Sequence, residues 1–347
     1  MAGRTVLVTG GAGYIGSHVC KQLALAGDTP VVLDSLEHGH RQLVRYGPFE
    51  HGDVRDRTRL DAVFARHRPD AVMHFAAYTD VGESVADPGR YYANNVGGSV
   101  ELLTAMVRHD VGALVFSSTC ATYGLPRTLP LTEEHPQHPI SPYGASKHMV
   151  ERILDDFAGA HRLRSIRLRY FNAAGADPDG ELGELHDPET HLIPLVLQVA
   201  AGLREAVAVY GDTYPTADGS CVRDYVHVTD LADAHVRALD HLDAGGASDA
   251  YNLGTGTGAS VLEVIEAARE ATGAAIPAVT HPPRPGDPPE LVAAADRAAT
   301  ELGWRPERSG LATILADAWR WQTRQHREPA TPSTPSTPGM SGTPGRG

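Results

Sequence analysis

Glycines 10, 13 and 16 form a G-x-x-G-x-x-G run, Gly10-Gly11-Ala12-Gly13-Tyr14-Ile15-Gly16, directly after a β-rich segment (5–9) and directly before a helical pattern that starts near Ile15. Glycines at this spacing let the chain turn tightly and bring backbone close to a pyrophosphate. The phosphate then meets the free N–H groups and positive dipole end of the helix. Further apolar, β-rich runs at 29–33, 71–75, 113–117 and 165–170 alternate with helical patterns at 15–26, 60–67, 91–109 and 143–161. Strands apolar on both faces and separated by helices predict a parallel sheet covered on each side, the doubly wound α/β class.

At 347 residues the chain has length for about two domains, at roughly 150 residues each. Texture changes after Tyr170 to loops rich in Gly, Asp and Pro at 175–188, with breaks at 214–215 and 281–286. The expected division is a dinucleotide-binding domain over 1–171, with segments near 229–256 returning to its sheet, and a smaller, mainly substrate-facing region over 172–327. Residues 328–347 are nearly all Pro, Thr, Ser and Gly and are expected to be disordered, since such a segment buries too little apolar surface to offset its ordering entropy. Lys plus Arg number 30 against 43 Asp plus Glu, a formal charge of −13, which argues against nucleic acid as a partner. Three cysteines without CxxC spacing argue against a disulfide framework or zinc site and suit a reducing, cytoplasmic setting. No apolar run reaches the ~20 residues needed to span a bilayer, and the first residues lack a secretory pattern, so no membrane association is expected.

The second strand runs into Asp34, placed to accept hydrogen bonds from an adenosine ribose and to repel a 2′-phosphate, which favours NAD over NADP. Asp53 and Val54 follow the third strand, where they can meet an adenine. The segment Ser141-Pro142-Tyr143-Gly144-Ala145-Ser146-Lys147 reads as an N-cap, a first-turn proline, and a Tyr and Lys four residues apart on one helix face. A nearby ammonium, the helix N-terminus and a cationic nicotinamide would each favour the Tyr143 phenolate, making it a candidate general base. Thr119, at the carboxyl end of a strand, is placed to reach the same reacting group. Histidines 38, 40, 135 and 138 lie in loops without partners at ligand spacing, and no metal is expected.

The chain resembles the extended short-chain dehydrogenase/reductases, and among them the nucleotide-sugar epimerases, from about residue 5 to 322. The motifs that carry the resemblance are the glycine run, His74-Phe75-Ala76-Ala77, Val81-Gly82-Glu83-Ser84, Tyr91-Tyr92-Ala93-Asn94-Asn95-Val96, Tyr143 to Lys147, Arg169-Tyr170-Phe171-Asn172, Val222-Arg223-Asp224-Tyr225-Val226-His227-Val228 and Arg284-Pro285-Gly286-Asp287. The resemblance implies a Rossmann fold and tightly held NAD. Tyr143 would take the sugar 4-hydroxyl proton while hydride passes between sugar C4 and the nicotinamide. A 4-keto sugar would then turn over in the site, interconverting UDP-glucose and UDP-galactose. It further implies that Lys147 lowers the Tyr143 pKa and binds the nicotinamide ribose, and that Phe75, Ala76, Ala77, Asn94 and Phe171 line the cofactor site. Arg223 and Arg284 would grip the UDP diphosphate, with Asn172, His191, Leu192, Tyr210 and Asp287 as further substrate contacts. Leu291 would stand against the sugar 2-substituent.

Within the family pattern, Thr119 replaces a Ser, Thr79 stands where some members have Lys near the ribose, and His191 replaces an Asn that contacts the uridylyl group. Leu291, intermediate between Tyr and a small residue, implies a preference for UDP-glucose and UDP-galactose over N-acetylated sugars. Other UDP-sugars, a pentose or a uronate, remain alternatives. A 4,6-dehydratase needs an Asp-Glu pair after the strand hydroxyl, and Thr119-Cys120-Ala121 has none. A non-catalytic NAD sensor has no need of Thr119, Tyr143 and Lys147. By family resemblance a homodimer is expected through the helices at 91–109 and 143–161.

Overall fold

The computed structural model describes residues 3–284 and 286–327. In the first half, β1 (Thr5–Thr9), α1 (Tyr14–Leu25), β2 (Thr29–Asp34), β3 (Phe49–His51), α2 (Arg57–His67) and β4 (Ala71–His74) lead to the short helices α3 (Val81–Ala86) and α4 (Pro88–Tyr91). A π-helical segment, Tyr92–Gly97, joins α4 to α5 (Gly98–Arg108), followed by β5 (Ala113–Thr119), α6 (Pro142–His161) and β6 (Arg164–Tyr170). Beyond these come β7 (Asn172–Ala174), α7 (Leu192–Ala200), β8 (Val207–Tyr210), β9 (Val222–Arg223), β10 (Tyr225–His227), α8 (Val228–Asp243) and β11 (Asp249–Leu253). The chain continues through β12 (Ala259–Ser260), α9 (Val261–Thr272), β13 (Ala278–His281), β14 (Glu290–Leu291), α10 (Asp296–Glu301) and α11 (Leu311–Arg327).

Among the described residues, seven strands form one parallel sheet in the order β11-β6-β5-β4-β1-β2-β3, in line with the doubly wound class expected from sequence. Alternate side chains point to opposite faces, so each strand feeds two cores. Val6, Val8, Val32 and Met73 pack with α1 and α8 through Val19, Leu23, Leu231 and Leu239. Leu7, Val31, Leu33, Val72 and Phe116 pack on the other face with α2, α5 and α6 through Leu60, Phe64, Leu102, Met106 and Leu154. The strand order reverses between β1 and β4, which opens a crevice at the carboxyl ends of the strands. The segment after the long loops returns to the sheet: α8 covers it and β11 pairs with β6.

A third core lies outside the large sheet, built from Ile193, Val196 and Leu197 of α7, Val207 and Val209 of β8, Val264 and Ile265 of α9, and Ile314 and Leu315 of α11. Small two- and three-stranded sheets, β8–β13, β7–β10 and β12-β9-β14, tie this region to the crevice.

The structure departs from the sequence reading at 91–109, where one continuous helix is expected and a π-helical turn interrupts it at Tyr92–Gly97. Tertiary bonds hold the turn: Asn95 accepts from the Tyr78 N–H at 2.9 Å and donates to the Tyr78 carbonyl and to Ser146 Oγ, both at 3.0 Å. Such turns often mark functional sites, and this one sets Asn94 in the crevice wall. No described helix is long and apolar enough to cross a membrane. The expectation of disorder over 328–347 lies outside the described residues.

Candidate active site

A cleft of about 1230 Å³ opens at the carboxyl ends of β1, β4, β5 and β6. It is lined by every residue proposed from sequence for cofactor or substrate except Lys147, which is buried just behind the wall.

At one end, Gly10 turns at φ 75°, and a Cβ there would lie 2.6 Å from the Ala76 nitrogen; a Cβ on Gly16 would lie 2.3 Å from the Gly10 carbonyl oxygen. Side chains at either place would push apart the β1–α1 turn that Ala76 backs. Gly13 is the N-cap of α1 and has no side chain to satisfy the first-turn N–H groups, so Tyr14, Ile15 and Gly16 present backbone donors to the cleft. Tyr14 itself anchors the turn from outside, its hydroxyl donating to the Gly175 carbonyl at 2.7 Å. Asp34, 8% exposed at the end of β2, accepts from Ala12 N at 3.0 Å and Leu36 N at 2.8 Å. Burial raises its carboxyl above the usual range, and those two amides work against the rise. Asp53 is paired with Arg55 at 2.5 Å and lines the cleft beside Val54. The narrow glycine turn, the uncapped helix N-terminus and the acidic strand end together suit a dinucleotide with a free 2′-hydroxyl.

The chemical centre lies between the glycine turn and the far wall. Thr119 ends β5, where its Oγ1 accepts from Ala121 N at 3.1 Å, and it lines the cleft together with Tyr143. Ser141 caps α6, accepting from Gly144 N at 3.2 Å, with Pro142 in the first turn, as the sequence predicts. Lys147 is 3% exposed; its Nζ donates to the Ser117 carbonyl at 2.9 Å and sits 5.0 Å from the Phe116 ring centroid. Burial pushes Tyr143 up to about 12, with the neighbouring Thr119 side chain opposing the rise, and pushes Lys147 down to about 7. Desolvation is the largest influence on the phenol in the protein alone.

Beneath this centre, Glu151 of α6 and Arg169 of β6 form a buried ion pair at 2.6 Å. Ser118 Oγ and Gln137 Nε2 also donate to Glu151, at 2.5 and 3.0 Å, so the carboxylate is fully engaged and held below its usual range despite burial. His74, at the end of β4, bridges Thr9 Oγ1 (2.7 Å) and Ser99 Oγ (2.9 Å), and burial lowers its pKa to about 3. A neutral imidazole thus joins β1, β4 and α5 under the crevice.

At the other end, Arg223 donates to Asp287 at 2.5 Å and is 14% exposed, not a solvated edge charge. The Arg284 guanidinium stacks 4.0 Å from the Tyr210 ring centroid. Asn172 donates to the Asp224 carbonyl at 3.2 Å, and Phe171 and Leu291 pack around Tyr123, Leu131 and Ala293. Leu192 and His191 lie at the start of α7 on the same cleft wall.

His191 also bonds Glu184, which belongs to a grouping missed from sequence: Glu184, His186, Glu189 and His191, whose donor atoms all lie within 4.8 Å of one another. His-x-x-Glu-x-His spacing over 186–191 is the signal that could have found it. His191 and His186 hold the Glu184 carboxyl at about 2 against the opposing effect of burial.

The chain is similar along most of its length to known proteins. A UDP-glucose 4-epimerase of Rhizobium leguminosarum bv. trifolii is 54% identical over 327 residues, 94% of this chain and 100% of that enzyme. The crystal structure of UDP-glucose 4-epimerase from Brucella ovis in complex with NAD is 51% identical, with a TM-score of 0.90 over 91% of this chain and 97% of its own. That of the Bifidobacterium longum enzyme in complex with NAD+ and UDP is 42% identical, with a TM-score of 0.89 over 93% and 99%. The NAD dependent epimerase/dehydratase family matches residues 6–254, which hold the glycine turn, Thr119, Tyr143 and Lys147, and the chain belongs to that family.

Proposed function

We propose that the chain interconverts UDP-glucose and UDP-galactose by removing and restoring hydrogen at sugar C4. The observation that carries this reading is the placement of Thr119 and Tyr143 together in the wall of one cleft, midway along it. A dinucleotide-type glycine turn stands at one end, and Arg223 and Arg284 stand at the other. NAD, when bound, supplies a reversible two-electron acceptor for the C4–H and a positive charge that favours the Tyr143 phenolate. Tyr143 takes the C4 hydroxyl proton and returns it to the same oxygen, Thr119 orients that oxygen, and Lys147 holds the backbone of β5 in register with α6. Gly10, Gly13, Tyr14, Ile15, Gly16, Asp34, Asp53, Val54, Phe75, Ala76, Ala77, Asn94 and Phe171 hold the cofactor. Arg223 and Arg284 suit bidentate contact with the diphosphate, and Asn172, His191, Leu192, Tyr210, Asp287 and Leu291 complete the substrate wall.

The division of labour follows the cores. Residues 1–171 with 229–256 carry the cofactor, and 172–327 mainly carry the UDP-sugar. A homodimer through residues 91–109 and 143–161 is supported by the exposed Val100 and Met149 on α5 and α6. A cytoplasmic setting fits three cysteines that remain unpaired.

Purified protein incubated with UDP-galactose and no added NAD should form UDP-glucose, because each turnover restores the cofactor. Absence of conversion, or strict dependence on added NAD, rejects the reading.

A further inference from the structure

Loop 175–191 joins β7 to α7, and near its end four side chains meet that the proposed chemistry does not use as a set. His186 Nδ1 lies 3.3 Å from Glu184 Oε1 and 3.4 Å from Glu189 Oε1. Glu184 also bonds His191 Nδ1, and the two imidazoles stand edge to face with centroids 5.1 Å apart. Neighbouring donors in a tetrahedral zinc site, at bond lengths of about 2.0–2.2 Å, are themselves about 3.3–3.6 Å apart; the four donor atoms here lie within 4.8 Å of one another, so the farthest close in by about 1 Å on the ion. The side chains of Glu184 and Glu189 are only 7% and 6% exposed, and carboxylates so buried need a positive partner.

We infer that Glu184, His186, Glu189 and His191 bind one divalent cation of the zinc class. Two imidazoles and two carboxylates suit zinc in donor type and number. Their supports are already in place: Trp321 Nε1 donates to the Glu184 carbonyl at 3.0 Å, His40 Nε2 meets the Leu185 carbonyl at 3.1 Å, and the N–H groups of Thr190 and His191 reach Glu189 Oε1 at 2.8 Å. The carboxylates neutralise the cation beside the N-terminus of α7, where a bare positive charge is disfavoured. Four protein ligands leave no open position, so the cation is structural. It clamps the loop to the start of α7 and fixes His191 and Leu192 in the cleft wall.

Full-length protein stripped with a chelator and titrated with ZnCl2 in a calorimeter should take up one equivalent at a saturable site. The 18 histidines of the chain make a control variant necessary. The double substitution His186→Ala/Glu189→Gln should weaken that site by more than about 100-fold, beyond what losing a supporting residue alone costs. Circular dichroism and retained NAD check its fold. Should the variant fail to fold, Co2+ added to the intact chain decides: intense visible ligand-field bands support a tetrahedral site, and their absence overturns it. No saturable zinc binding by the intact chain, or equal binding by a folded double variant, also overturns the inference.

Discussion

Lys147 Nζ donates to the Ser117 carbonyl oxygen at 2.9 Å. The bond spans thirty positions of chain and ties the third residue from the end of β5 to the second turn of α6, so Thr119 and Tyr143, each two to four residues from the tie, are set against each other. Tyr143→Phe keeps the ring and removes the proton acceptor. Epimerisation should fall by about 10²- to 10⁴-fold while UDP-sugar affinity stays near its original value. Steady-state rates with a calorimetric binding measurement check this, and near-normal turnover would remove Tyr143 from the base role.

Asp34 already accepts two backbone N–H groups and lines the cleft. Asp34→Gly takes away the carboxylate that opposes a 2′-phosphate, and discrimination against NADP should relax. Binding of both dinucleotides to cofactor-free protein tests the point; an unchanged preference for NAD would show that Asp34 does not contact the ribose.

Leu291 sits in β14, paired beside Arg223, and reaches the cleft from the cluster of Phe171 and Tyr123. UDP-glucose and UDP-galactose should be preferred over their N-acetylated forms by roughly 5- to 150-fold, the equivalent of about 1–3 kcal/mol of overpacking. Leu291→Tyr should abolish N-acetyl turnover and spare UDP-galactose. If both activities change in parallel, the 2-substituent is gated elsewhere.

Three imidazoles are buried with low pKa values, about 3 for His74 and about 4 for His18 and His235. Each titrates near 6.5 in the unfolded chain, so below that pH the unfolded state binds protons that the folded state refuses. Stability is therefore complete above about pH 6.5 and falls as pH drops toward 4, by up to about 1.4 kcal/mol per pH unit per imidazole. Urea unfolding from pH 7 to 4.5 should show the slope, and His235→Leu should reduce it by about one imidazole's share. An unaltered slope in that variant would mean that His235 is protonated in the folded protein.

Much of the fold was legible because its signals are local. Continuous apolar runs, the Ser141–Pro142 cap, the glycine spacing at 10–16 and the acidic end of β2 each act within a few residues, and the five expected strands appear within two residues of their expected bounds. Thr119, Tyr143 and Lys147 were readable for the same reason, since strand ends and helix faces follow from short patterns. The sequence alone thus determined the doubly wound sheet and the crevice at the carboxyl ends of its strands. Tertiary structure decided what depends on residues far apart in the chain. Tyr78 and Ser146 bend the helix at Asn95 into a π-turn, Asp287 pairs Arg223 across sixty-four positions, and Gly175 anchors Tyr14 across one hundred and sixty-one. It also shifts the Tyr143 phenol up and the Lys147 ammonium down, because desolvation depends on how completely the fold encloses a group, and no local pattern records that enclosure.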